Sequence, residues 1–475
     1  MTTVRTRFAP SPTGYLHVGG IRTALFAYLL ARQAGGQFVL RLEDTDKKRE
    51  VIGSDQHLMD SLHALGMTYD EGPDIGGPFA PYRQSERLDR YNQWAKKLIA
   101  AGRAYADPYT PAEVDAFRQA AKDAKQPFLF RNHRPTDPPE WDGTMPLRFK
   151  SDPKAYTWQD AVMGSLSTGP EVVDDFIIVK SDGYPTYNFA HIIDDLEMEI
   201  SHIIRGQEFL ASIPNYLNLY EALDITPPIM ATMPHVLGAS GNKKLSKRDG
   251  AKDVLDYLRE GYLPEALVNF IASLGWNDAT EQEIFTMQEL IDKFSLDHVG
   301  RGGARFDEQR LLWMNGTFIR NLSPDELFEQ SRNFWPPEAA DASDDYKRQV
   351  LDLVQERLKY FGEIPELSRF FFIDLPINAE LITGNKQLKK FEATRLKELL
   401  EQTIVSLEAS DFSVDDLQSR LNDLLEQTGE KPAVLFSLVR IATTQAVASP
   451  GLTGTLHVLG KVIAMRRLQA QLAAL

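Results

Sequence analysis

Val4-Arg-Thr-Arg-Phe-Ala-Pro-Ser-Pro-Thr-Gly-Tyr-Leu-His-Val-Gly-Gly20 decides the fold of this chain. Val4 to Phe8 reads as a short strand, and Ala9 to Gly20 as a loop punctuated by Pro and Gly. Ile21, Ala24, Leu25, Tyr28 and Leu29 then recur at helical spacing, Gly35-Gly36 supply a stop, and Gln37 to Leu42 form a second apolar strand. Strand, loop, helix and strand in so short a span predict a parallel pair with a right-handed crossover, hence an α/β fold. The loop then ends where backbone N–H groups and the positive end of a helix dipole converge, a ready phosphate site. His17 can donate to an anionic oxygen there, and Gly19 and Gly20 let a base or phosphate approach without a Cβ in the way.

Outward from this unit the chain is long. Its 475 residues predict about three or four domains. Hydrophobic content of 43% with 25% charged residues argues against wholesale disorder. No stretch reaches the roughly 18 uninterrupted apolar residues that a membrane span needs. With no cysteine, disulfides, thiol nucleophiles and Cys-based metal sites are excluded. A net charge of −15 argues at first sight against a nucleic-acid partner. Yet Met1 to Leu42 contains no acid, while Arg5, Arg7, Arg22, Arg32 and Arg41 fall there. Such a start could be an Arg-rich transit peptide, but a presequence should not contain the first strand of the fold. The better reading is an anion-handling site.

From about Tyr82 to Tyr187, short apolar runs alternate with Pro-rich breaks such as Arg134-Pro-Thr-Asp-Pro-Pro139, which predicts an inserted α+β domain. Asp175 to Lys180 and Glu199 to Arg205 read as further strands. Beyond about Pro324 the pattern is helical. Leu351, Val354, Leu358 and Phe361 are expected on one face, as are Leu396, Leu399, Leu400 and Ile404, and Leu459, Val462 and Ile463.

Far downstream, Gly238-Ala-Ser-Gly-Asn-Lys-Lys-Leu-Ser-Lys-Arg-Asp-Gly250 gathers Lys243, Lys244, Lys247 and Arg248 among glycines and small polar residues. Such a run is most simply a solvated basic loop. It can also serve as a clamp on a leaving pyrophosphate. His17-Val-Gly-Gly20 followed by Lys244-Leu-Ser-Lys-Arg248 resembles the two signature motifs of class I aminoacyl-tRNA synthetases. Arg7-Phe-Ala-Pro-Ser-Pro-Thr-Gly14, Arg41-Leu-Glu-Asp-Thr-Asp46, Tyr69-Asp-Glu-Gly-Pro73, Tyr82-Arg-Gln-Ser-Glu-Arg87, Ser181-Asp-Gly-Tyr-Pro-Thr-Tyr187 and Leu312-Trp-Met-Asn-Gly316 narrow it: the chain resembles the bacterial-type glutamyl-tRNA synthetases. The glutaminyl relatives usually carry Pro-Pro-Glu-Pro-Asn-Gly where Ala9-Pro-Ser-Pro-Thr-Gly14 stands here.

The resemblance implies a class I Rossmann-like catalytic domain over 1–81 and 188–240, with an inserted α+β acceptor-end-binding domain over 82–187. A helical stem-contact region with the lysine motif would follow over 241–325, and an all-α anticodon-binding region over 326–475. It implies that ATP activates L-glutamate to glutamyl-adenylate, which then passes to the 3′ end of tRNA(Glu). His17, Lys244 and Lys247 would be catalytic. Pro10, Thr13, His17, Gly19, Gly20 and Lys247 would hold ATP, accompanied by Mg²⁺. Arg7 and Arg205 would read the carboxylates of glutamate through their forked donors. Glu43 and Ser11 would take its ammonium, and Tyr187 would complete the pocket. His191 stands where relatives often carry Asn. Arg357 would read an anticodon base.

Some relatives bind zinc through cysteines near the stretch here reading Ala104-Tyr-Ala-Asp-Pro108, which has none, so structural zinc is not expected. The resemblance further implies a cytoplasmic monomer. Whether tRNA(Gln) is also charged stays open. Three other readings are a small-molecule nucleotidyltransferase on the same fold, a tRNA-modifying glutamyl transferase, and a silent tRNA-binding protein. The long helical C-terminal part weighs against the first two, and the complete set of motif residues against the third. Because screening limits each charge to about 10 Å, the acid-free start, Lys243 to Arg248 and the terminal Lys461, Arg466 and Arg467 are expected to supply positive surface on an acidic body.

Overall fold

In a computed structural model of the chain, Arg5–Phe8 is a strand buried along its whole length. It pairs in parallel with Gln37–Leu40, from Arg5↔Gln37 to Phe8↔Leu40. The helix Val18–Gln33 connects the two. Its Ile21, Leu25, Phe26 and Leu29 are fully buried, each contributing about 1.5–3 kcal/mol relative to an exposed side chain. Gly35, at φ 60, ends the helix, and a Cβ on Gly36 would strike the Val4 carbonyl as the chain turns back into the sheet. The described residues are 3–245, 252–446 and 449–475.

The main sheet has the spatial order Gln37–Leu40, Arg5–Phe8, His202–Gly206, Ile229–Met233, Tyr156–Asp160, Gly164–Thr168. The first five strands run parallel and only the last is antiparallel. Strand order reverses at Arg5–Phe8, which has its sequence neighbour on one side and His202–Gly206 on the other. In such sheets a crevice opens at that point, beyond the carboxyl ends of the strands.

Region 82–187 does carry a separate three-stranded antiparallel sheet, Ala104–Ala106, Leu147–Phe149 and Ile177–Val179. Two observations tie it closely to the main body. Its hairpin Tyr156–Asp160/Gly164–Thr168 extends the main sheet, with buried Asp160 accepting from the Thr232 hydroxyl at 2.6 Å. Its apolar core (Tyr91, Leu147, Phe149, Ile178) is also continuous with Phe189, Ile192 and Tyr216 on the helices Tyr187–Glu197 and Ile213–Ala222.

The chain divides into two compact units, Met1–Tyr257 with Pro264–Glu308, and Leu258–Leu263 with Gln309–Leu475. The stretch expected as a stem-contact region, 241–325, is thus shared between them. In the second unit the helices Ala393–Glu408, Val414–Thr428, Pro432–Thr444 and Leu452–Ala474 enclose Leu399, Leu400, Leu421, Leu435 and Leu456. Two expected helical faces differ from what is observed. The helix carrying Leu351 and Val354 ends at Val354, and Leu358 and Phe361 are buried from the turns beyond it. Leu459 is buried but Val462 is 80% exposed, because Gly460 adopts φ 76, ψ 159 and breaks the 3.6-residue phase between them.

Candidate functional site

A cavity of about 400 Å³ opens at the carboxyl ends of the parallel strands, lined by Phe8, Ile204 to Gly206 and Met233 to Val236. It receives Arg7, Ser11, Glu43, Tyr187 and Arg205 at one end, and Pro10, Thr13, His17, Gly19, Gly20 and Lys244 from the two motif-bearing segments. Residues far apart in sequence are gathered because the parallel strands deliver their carboxyl ends to one edge.

The first end is built on buried ions. Arg41 is wholly buried; it donates to Asp195 at 2.8 Å through Nη1 and to Glu43 at 3.0 Å through Nη2. Asp195 also takes Arg7, Nε at 3.0 Å and Nη2 at 3.3 Å. Burial opposes the charge on Asp195, but Arg41 and Arg7 outweigh it and hold the carboxyl well below its ordinary range. The fork of Arg7, expected to meet a substrate carboxylate, is therefore committed along one edge to Asp195; Nη1 lies 3.4 Å from the Ile204 carbonyl.

Behind the lining, Nε of Arg41 makes no hydrogen bond and lies 3.8 Å from Asp194. Among the described residues, two buried polar atoms of the side chains that line this end also lack a hydrogen-bond partner: Nη2 of Arg205 and Oε2 of Glu43. One is a cationic donor, the other a carboxylate acceptor. Such atoms cost free energy unless something polar meets them. Arg205 is steadied by the rings of Tyr216 and Phe209, 4.9 and 5.7 Å from its guanidinium carbon. Burial pushes Glu43 up to about 7, against the pull of Arg41 and Arg7.

His191 does not line the cavity. It is buried behind Tyr187, whose ring stacks on it at 4.7 Å, and its Nδ1 lies 2.8 Å from the Tyr187 carbonyl. A proton on Nδ1 makes that bond and leaves the Nε2 lone pair facing Arg205 Nη1 at 3.5 Å. Burial, then Arg205, lower His191 to about 3, so the ring is neutral at physiological pH.

The other end is more open. His17 caps the helix Val18–Gln33, its Nδ1 accepting from the Gly19 N–H at 3.2 Å, which places the proton of the neutral ring on Nε2. A Cβ on Gly20 would meet Leu16 at 2.7 Å, so this glycine also serves packing. Lys244 follows the strand Val236–Leu237 through a turn, bridging back to Leu237, and its Nζ lies 3.3 Å from Glu208. Lys247 and Arg248 lie outside the described residues.

Sequence reasoning missed Glu208 and His235 at this end and counted Arg22 only among the N-terminal arginines, without a place in the site. Arg22 donates to the carbonyls of Leu274 and Pro234; burial lowers it to about 10, partly offset by Glu208. Its place beside Ile21 on a buried helix face was the available signal. Glu208 and His235 carry no motif. Among the described residues no cluster of three or more His, Cys, Asp or Glu side chains could hold a metal.

The expected positive surface needs correction. Arg5 is ion-paired to Glu71, Arg7 and Arg41 to Asp195, and Arg32 to Asp70, so the acid-free start is neutralised by acids from later in the chain. The C-terminal cations differ: Lys461 donates to the neutral Glu408 and Ser410 carbonyls and keeps its charge, and Arg466 and Arg467 share the single carboxylate of Asp374. In the second unit Arg357 is exposed beside Arg440, which burial and then Arg357 hold below the ordinary arginine range. No helix of the described residues is long and apolar enough to cross a membrane.

Comparison with known proteins bears on this cavity. Residues 3–313 match the family model of tRNA synthetases class I (E and Q), catalytic domain, and residues 326–472 match an anticodon binding domain. The chain is 39% identical to the glutamate–tRNA ligase of Prosthecochloris aestuarii, covering 98% of this chain and 97% of that protein. It is 38% identical to that of Dehalococcoides mccartyi, covering 99% and 98%. A crystal structure of a glutamate tRNA ligase from Elizabethkingia meningosepticum, in complex with its amino acid, superposes with a TM-score of 0.87 at 33% identity, covering all of both chains.

Proposed function

We infer the roles of these residues from one premise: the chain belongs to the glutamate–tRNA ligase family of class I tRNA synthetases. It joins glutamate to tRNA at the expense of ATP. The pair of unpartnered buried atoms, Arg205 Nη2 and Glu43 Oε2, carries the assignment of the amino-acid end. A zwitterion with a second carboxylate supplies an acceptor for the one and an ammonium for the other. Arg7 adds positive potential from its committed position, Ser11 and Tyr187 line the same end, and His191 acts through Arg205 rather than by touching substrate.

The nucleotide is proposed at the helix N-terminus. Pro10, Thr13, Gly19 and Gly20 shape that surface, the Nε2 proton of His17 faces phosphate oxygen, and Lys244 and Lys247 counter charge developing on pyrophosphate. The α-carboxylate of glutamate attacks the α-phosphorus of ATP, the bond to the β-phosphate oxygen breaks, and pyrophosphate leaves. The 3′-terminal ribose hydroxyl of tRNA then displaces AMP from the mixed anhydride. Neither step needs a covalent intermediate on the protein, so positioning and charge stabilisation account for the rate. Mg²⁺ is proposed to arrive with the nucleotide, and no step is assigned to it.

The proposed division of labour keeps catalysis in 1–81 and 188–240, acceptor-end binding in 82–187, stem contacts in 241–325 and anticodon reading in 326–475, with Arg357 beside Arg440 at a base or phosphate. The proposed setting is a cytoplasmic monomer acting on tRNA(Glu). Parallel charging of tRNA(Glu) and tRNA(Gln) decides whether the second is also a substrate. With the N-terminal arginines internally paired, tRNA affinity rests on fewer cations, but it is still expected to fall steeply with salt. The deciding assay is glutamate-dependent exchange of pyrophosphate into ATP, with and without tRNA. Exchange that requires glutamate supports the assignment, and its absence under both conditions overturns it. Lys247→Ala is expected to bind tRNA normally and lose activation.

A further inference from the structure

His57 does not line the cavity but ties the first loop to the chain just beyond the lysine motif. The ring of Tyr15, in the first loop two residues before His17, stacks on the His57 ring at 4.5 Å and 27°. His57 Nε2 lies 2.7 Å from Asp253 Oδ2, with the two side chains only 14% and 11% exposed. Asp253 follows the lysine motif closely in sequence and bridges the His17 backbone; its Oδ1 accepts the Leu255 N–H at 2.8 Å, at the start of the helix Val254–Glu260. The helix carrying His57 is itself fixed to the first loop, because the Pro12 carbonyl accepts from Val51 N–H at 2.9 Å and from Ser54 Oγ at 2.8 Å. Among the described residues Nδ1 of His57, which is buried, has no hydrogen-bond partner, and the ring bonds to Asp253 through Nε2.

We infer that His57 is a positioning residue for adenylate formation, its stack on Tyr15 and its bond to Asp253 setting the distance between the His17 loop and the chain that returns from the lysine motif. A partly buried charge-assisted bond at this length holds geometry far better than an exposed one. Catalysis that depends on placement loses rate when its parts shift by about 1 Å. The inference rests on the assignment of both motifs to the nucleotide end.

The test is pyrophosphate exchange by the full-length enzyme with glutamate and tRNA present. His57→Ala is expected to lower kcat by about 10–100-fold while leaving the KM for glutamate within about twofold. His57→Gln, whose amide N–H reaches the place of Nε2–H, is expected to recover most of the loss. A wild-type kcat for His57→Ala overturns the inference. So does equal damage in both variants with a raised KM for glutamate, the pattern of a general structural defect; an early-melting alanine variant leaves the glutamine variant to decide by the same two constants. His17→Ala in the same assay separates the two claims: if it too retains full exchange, the nucleotide-end assignment has failed, whereas its loss beside an intact His57→Ala sinks His57 alone.

Discussion

The two ends of one cavity handle charge in opposite ways. At the proposed amino-acid end, Arg7, Arg41, Arg205, Glu43 and Asp195 are each no more than 5% exposed; ion pairs fix Arg7, Arg41, Glu43 and Asp195, and the rings of Tyr216 and Phe209 flank Arg205. At the proposed nucleotide end, the Lys244 and Glu208 side chains are 50% and 46% exposed at 3.3 Å. Buried ions are expensive to assemble, but once assembled their geometry is fixed before substrate arrives. Exposed ions are screened and mobile, which suits groups that must follow a leaving pyrophosphate. On the proposed assignment, the difference teaches that selectivity for the amino acid is built into the fold, while the nucleotide end presents exposed charge.

The largest expected effect comes from removing the anion that two arginines share. Asp195→Ala leaves Arg7 and Arg41 without their common partner and is expected to cost about 3–5 kcal/mol in urea unfolding. Lys244→Ala, at an exposed pair, is expected to change stability by less than about 1 kcal/mol. Similar losses in the two would erase the contrast. Next, Arg205→Lys replaces a planar fork held between rings with a point charge, and should raise the KM for glutamate by about 10–100-fold with the KM for ATP unchanged, as exchange kinetics would show. Smaller still, Lys244→Ala should lower kcat for activation by about tenfold while sparing the KM for glutamate; a raised glutamate KM would place Lys244 at the wrong end.

Much of this was legible in the sequence because it is local. Strand, loop, capped helix and strand from Val4 to Leu42 are set by periodicity, glycines and His17, and they are found nearly where expected. Among the described residues, His17, Gly19, Gly20 and Lys244 of the motifs line one cavity at the carboxyl ends of the parallel strands. What was not legible depends on pairing at a distance. Asp194 and Asp195 belong to no quoted motif, yet they pair with arginines far away in sequence: Asp195 takes Arg7 and Arg41, and Asp194 takes Arg87 at 2.7 Å. An acid-free N-terminus therefore looked like positive surface when it was one half of a buried ion network. The hairpin Tyr156–Asp160/Gly164–Thr168 joins the main sheet through a strand far away in sequence, which no local pattern announces. The outward turn of Val462 follows from one backbone conformation at Gly460, a residue whose helical phase looked uninterrupted.

The contrast between the ends can be tested directly through pH. Glu43 is pushed by burial up to about 7, and on the proposed assignment it must be ionised to accept the ammonium of glutamate. Above that pH the carboxylate is present; below it, protonation removes the acceptor charge. Exchange kinetics from about pH 8 to about pH 6 should therefore show a glutamate KM that is flat at the upper end and climbs toward tenfold per unit at the lower. The KM for ATP should stay level, and Glu43→Gln should give a high glutamate KM with no pH dependence. A glutamate KM that stays flat in the wild type, or one that moves in step with the KM for ATP, would contradict the account of two differently built ends.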